Sequence, residues 1–177
     1  TLDILGRNSL RGVFFVEPLF SARFGAEYLE RIVRMIRAAG QEVQLHVHPE
    51  WTDEIRPPIL EDVSRKRQHL IHYDADEQSA LIHKARRLLE AAGSGELTSF
   101  RAGSYAVNRA TYSALRRNGI RFDSSLNRCH REVSGTDLAS EHDLTSSARL
   151  DGVLTYPVSV FRDGLGRLRP AQVGACS

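Results

Sequence analysis

Short β-branched and aromatic runs alternate along this chain with stretches of helical periodicity, and that alternation restricts its fold more than any other feature. "GVFFVEP", residues 12–18, reads as a buried strand closed by proline. Leu29, Ile32, Val33 and Ile36 then repeat at helical spacing over residues 25–39, with Gly40 as a left-handed stop. "EVQLHVH" is the next strand, so strand, helix and strand form a βαβ unit. The pattern continues with a helix capped by Asp76 that turns Leu81, Ile82, Ala85, Leu88 and Leu89 inward and ends at Gly93. "LTSFRAG" follows as a strand, Asn108 caps a helix running to Asn118 and Gly119, and "IRFDSS" and "VLTYPVSVF" supply two more strands. Residues 1–10 read as the end of a helix, with Asp3 on its surface. Residues 51–76 form a long polar connection containing Pro57 and Pro58, a candidate functional loop. Residues 127–150 read as polar and irregular. The expectation is an α/β fold with a parallel sheet, either open or closed into a barrel.

A chain of 177 residues with 41% hydrophobic content can bury one sizeable core, so residues 1–177 are expected to form a single domain. The 24 basic and 22 acidic residues are interspersed, which offers no basic block for nucleic acid or a membrane surface. Cys129 and Cys176 form no CxxC pair, and no run approaches the roughly 20 apolar residues of a membrane span.

Ligands of parallel α/β folds lie beyond the carboxyl ends of the strands, which singles out residues 46–50, 101–105 and 123–125. His46 and His48 alternate along an extended segment and so present both imidazoles to one face. A turn at Pro49 can bring the Glu50 carboxylate to them. This is either half of a metal site or a pair of hydrogen-bonded polar residues at a strand end. Arg101 leaves its strand in "FRAGSY", where it can pair with a carboxylate or make an ordinary salt bridge. Gly103 permits close backbone approach, and the N–H groups of such a turn can form an oxyanion hole. Trp51 reads equally as a stacking platform at a pocket rim or as packing for its loop. His69, His72 and His83 carry no spacing signature, and the Cys129-His130 pair has no partner motif.

The order of "TLDILGRNSLRGVFFV", "AAGQEVQLHVHPEW" and "SFRAGSYAVNRATYSALRRNGIRFDSS" resembles the polysaccharide deacetylase family, the carbohydrate esterases with the NodB homology domain, in a variant reading FRAGxY. The likeness covers about residues 1–128 and, more loosely, "PVSVFRDGLGRLRP". It implies an irregular (β/α) barrel and a metal-dependent hydrolase removing acetyl groups from N-acetylated sugars of a bacterial glycan, in the cytoplasm or the cell envelope. It also implies a divalent ion, usually zinc, held here by His46, by His48 and by Glu50 where the family has a second histidine. Arg101 would orient a catalytic aspartate, the Ser104 or Tyr105 N–H would be the oxyanion donor, and Asp123 would be the acidic residue tuning the arginine or a terminal histidine. Gly103 replaces the usual proline. The paired aspartates of the first family motif and its terminal histidine have no counterpart here, so the barrel is expected to be incomplete at both ends. A non-catalytic relative that binds sugar is the alternative.

Overall fold

In a computed structural model the described residues are 1–138 and 144–171. Helix α1 (Leu2–Arg7) precedes β1 (Val13–Val16), a short α2 (Ser21–Phe24) and α3 (Ala26–Ala38). Then come β2 (Glu42–Val47), α4 (Ala75–Ala91), β3 (Ser99–Ala102), α5 (Arg109–Arg117) and β4 (Phe122–Asp123). The described chain ends in β5 (Ala148–Leu150), β6 (Val153–Thr155), β7 (Val160–Arg162) and β8 (Leu168–Pro170). Asp3 is exposed on α1, as its place in the sequence suggests.

The described strands form a mixed sheet ordered β1-β2-β3-β4-β6-β5, parallel throughout except for β5 against β6, with β7 and β8 as a separate antiparallel pair. Barrel closure was expected from the family likeness, but among the described residues the sheet is open, with edges at β1 and β5. Alternation within the strands explains how its two faces differ. Val43, Leu45, Val47, Phe100 and Ala102 are fully buried in the core shared with Leu29 and Val33 of α3, Leu81 and Leu89 of α4, and Leu115 of α5. His46, Ser99, Arg101, Phe122 and Leu154 alternate with buried neighbours and stay partly exposed. The second face therefore holds the chemistry.

Local details depart from the sequence pattern in three places. Asp74, not Asp76, caps α4: its carboxylate accepts from the N–H groups of Asp76 and Glu77, and Glu77 returns a bond to the Asp74 N–H. That reciprocal pair satisfies two helix-end donors at once, which Asp76 would not. The run "VLTYPVSVF" is two strands, because Pro157 lacks the N–H a ladder needs; β6 stays in the main sheet and β7 pairs with β8. Residues 148–150, read as irregular, are β5, joined to β6 by Asp151 and Gly152, both at positive φ (45° and 84°).

Gln44 sets the height of β3 beside β2. Its amide oxygen accepts from the N–H groups of Thr98 and Ser99 at 2.9 and 2.8 Å, and its amide nitrogen donates to Glu96 O. With that alignment, His46 on β2 stands opposite Arg101 on β3.

Candidate functional site

Register partners in a parallel pair point to the same face, so His46 and Arg101 emerge side by side at the carboxyl end of the sheet. His48, with extended backbone just past β2, follows the same alternation, and the His46 and His48 rings lie edge to face with centroids 4.7 Å apart. His46 Nδ1 lies 2.6 Å from the Arg101 carbonyl oxygen. A carbonyl only accepts, so Nδ1 carries the proton and Nε2 keeps its lone pair. Burial holds the His46 pKa down to about 4, opposed by that carbonyl bond, so the ring is neutral near pH 7. His48 Nδ1 lies 3.0 Å from Glu50 Oε2. A carboxylate there accepts the Nδ1–H and likewise leaves Nε2 as the basic nitrogen.

His48 also fixes what its neighbour can be. A Cβ placed on Gly103 would stand 2.7 to 2.8 Å from ring atoms of His48, closer than such atoms approach. Glycine suits this position because the imidazole lies directly against its Cα. Beyond it, Ser104 and Tyr105 both adopt left-handed backbone (φ 54° and 58°), a conformation costing on the order of 1 kcal/mol for residues with a side chain. The chain thus reverses sharply at 103–105, beside the histidines, and the Tyr105 ring packs against that of His130 at 5.3 Å.

Arg101 lies with its guanidinium 4.6 Å from the Phe15 ring centroid, while Nε donates to Ser124 O at 3.1 Å and Nη2 to Ser124 Oγ at 2.7 Å. Asp123, expected to tune this arginine or a terminal histidine, makes no direct bond to the arginine. The carboxylate is fully buried and accepts from Tyr112 OH, Thr155 Oγ1 and both the N–H and hydroxyl of Ser125. Burial pushes the Asp123 pKa up, and those bonds pull against it. Ser125 Oγ in turn accepts from Ala102 N at 2.9 Å, tying the end of β3 to the turn that holds Arg101. Asp123 therefore reaches the arginine only through the Ser124-Ser125 backbone.

Glu17, at the carboxyl end of β1, received no role from the sequence. Its carboxyl group accepts from the N–H groups of Leu19 and Phe20 at 2.7 and 3.1 Å. Burial raises its pKa to about 7 against those bonds and the charge of nearby His48. The available signal was an acidic residue directly after an apolar run, the position that also distinguishes the residues following β2 and β3; the run itself, read as a buried strand, is the exposed to half-buried edge strand β1. Trp51 packs edge-on against Phe24 at 5.3 Å and joins the rim of the core, which is the loop-packing alternative.

The residues read as metal ligands do not fit a catalytic metal centre. Such a zinc site takes three protein donors, and among the described residues no group of three histidine, cysteine or acidic side chains is arranged to hold an ion. Glu50 braces His48 rather than joining it. A cavity of about 610 Å3 lies at the opposite end of the sheet between Arg11, Arg37, Glu42, Glu96 and Arg121, and its charges are balanced in part by the Arg121–Glu96 pair at 3.2 Å.

No family model and no curated protein sequence matches the chain. Solved structures do. A putative polysaccharide deacetylase from Mycobacterium smegmatis superposes with a TM-score of 0.58 at 22% identity, over 89% of this chain and 44% of its own. A family 4 carbohydrate esterase from Streptomyces lividans, in complex with acetate, gives 0.51 at 19% identity over 77% of this chain and 60% of its own. The chain has a polysaccharide deacetylase-like fold. A mutant of a CE4 family pseudoenzyme from Bacillus anthracis is also similar, with a TM-score of 0.50 at 19% identity over 77% of this chain and 42% of its own. The chain thus spans 42% to 60% of the length of these structures.

Proposed function

We propose that residues 1–177 form one carbohydrate deacetylase domain of the FRAGxY type, hydrolysing the acetamide of an N-acetylated sugar within a bacterial glycan. The observation that carries this reading is the pair of oxygen-braced imidazoles, His46 on Arg101 O and His48 on Glu50, packed against the Gly103 turn at the carboxyl ends of a parallel sheet. In the reaction, water attacks the acetyl carbonyl carbon as His48 Nε2 takes its proton, and Glu50 stabilises the resulting imidazolium. Negative charge on the carbonyl oxygen is met by Arg101 and by an N–H of Ser104 or Tyr105. The C–N bond then breaks as the proton passes to the departing amine, leaving acetate and a free amino sugar. Zinc dependence belongs to this reading only together with a third donor from outside the described residues.

Acetate release from N-acetylglucosamine oligomers tests the reading, with and without a chelator. His48→Gln is expected to lower the rate by about a hundredfold or more, and Glu50→Gln by about tenfold, with the fold intact. Loss of activity on chelation, restored by zinc, would add the metal. The fold serves a carbohydrate esterase and a pseudoenzyme alike, so the second reading is a sugar-binding domain without turnover. Glycan binding with no acetate released from any N-acetylated substrate would establish it.

A further inference from the structure

We propose that the cavity at the carboxyl ends of β3, β4 and β6 is a subsite for one pyranose unit of the glycan, next to the unit that reacts, with the Tyr156 ring as its stacking wall. This rests on the carbohydrate reading above and adds chain-length specificity to it. The cavity measures about 320 Å3 and is lined by Arg101, Tyr105, Ser124, Tyr156, Val158 and Ser159 among others. Small-molecule sites begin near about 300 Å3, so there is room for a single ring.

Its position separates it from the histidines. His46 is on β2 and Tyr156 follows β6, three neighbours along the sheet. At roughly 4.8 Å per neighbour the Tyr156 wall stands about 14 Å along the sheet from His46, while Arg101 on the near wall is the register partner of His46, so a ring stacked on Tyr156 is the neighbour of the one at the imidazoles and not the same unit. Arg101 is shared, its carbonyl bracing His46 and its side chain facing the cavity.

The lining suits a sugar ring. Tyr156 is 51% exposed despite its size, and its ring is backed by Phe122 at 6.5 Å with a 35° tilt. Residues 156–159 belong to no strand, yet Tyr156 N donates to Asp123 O, Val158 N to Leu126 O, and Ala171 N to Ser159 O, at 2.7 to 2.8 Å. That backbone is therefore a fixed wall. Facing it, Ser124 and the further N–H groups of Arg101 supply hydrogen bonds. A flat amphipathic ring opposite polar groups is complementary to a pyranose, which has a C–H face and a rim of hydroxyls.

The test compares binding of N-acetylglucosamine and its tetrasaccharide to the whole chain by calorimetry. Tyr156→Ala is expected to weaken the tetrasaccharide about tenfold, the effect of losing one ring stack. Tyr156→Phe should stay within about twofold, and the monosaccharide should bind all three proteins alike. NMR saturation transfer from tyrosine ring protons to the tetrasaccharide C–H groups is expected in the unaltered protein and reduced in Tyr156→Ala, where Tyr105 is the cavity's remaining tyrosine, and transfer that is absent or unchanged by the substitution overturns the subsite. If Tyr156→Ala binds the tetrasaccharide as wild type does while acetate release persists, the subsite falls and the deacetylase reading stands. If wild type neither binds nor deacetylates any N-acetylated oligosaccharide, both fall.

Discussion

Gly103 is the residue on which the site's geometry turns. The need for glycine is one of space, since the His48 ring occupies the volume of any Cβ. Gly103→Ala is therefore expected to push His48 off its seat and away from Glu50, cutting acetate release by about tenfold or more while costing about 1–3 kcal/mol of stability as a small overpacking. Kinetics and thermal melting together check this, and unchanged kinetics would mean the imidazole has somewhere else to go. The identity of such residues was partly legible beforehand. His-x-His at a strand end and the arginine of "FRAG" stand out as residue types. That the turn at Pro49 brings Glu50 to a histidine was readable too, whereas the bonds of Asp123 to Tyr112 and Thr155 join side chains up to 32 positions apart and were not.

At the scale of elements, the long connection after β2 is held by a single buried ion pair. Arg67 donates through both terminal nitrogens to the two Glu77 oxygens at 2.9 Å, with only 9% of its side chain exposed, and its guanidinium lies 3.9 Å from the Tyr73 ring centroid. Tyr73 OH in turn donates to Arg67 O. Glu77 belongs to the α4 capping box, so one carboxylate fastens the loop to the helix that buries β2. Removing one partner of a buried pair leaves the other charge uncompensated, so Arg67→Ala should cost about 3 kcal/mol. Urea unfolding measures it; a cost below about 1 kcal/mol would show the loop to be held by its apolar contacts instead. The helices and central strands were readable from periodicity because one face of each is buried. β5 was missed because three residues carry no period, although the Asp151-Gly152 turn beside it was a usable sign.

For the whole molecule, two partly buried groups at the carboxyl ends of β1 and β2 make opposite demands on pH. The Glu17 pKa is raised to about 7 from 4.5, so its share of stability is full below pH 4.5 and is lost as pH rises to 7. The His46 pKa is lowered to about 4 from 6.5, so its share is full above pH 6.5 and is lost as pH falls to 4. Between 4.5 and 6.5 the two slopes oppose each other. In metal-free protein, Glu17→Gln should expose the histidine slope and His46→Asn the glutamate slope, each on the order of 3 kcal/mol across its window relative to the double variant. Denaturant titrations at several pH values check this, and parallel curves for all four proteins would refute it. From its sequence alone this chain determined its main helices and central strands, that those central strands run parallel, and which of their ends carry polar side chains, because periodicity and caps act between near neighbours. Only the tertiary structure decided that the described sheet stays open, that Glu17 stands near His48, and that a tyrosine past β6 borders the arginine's cavity. Those outcomes depend on register and burial, which arise when distant segments pack.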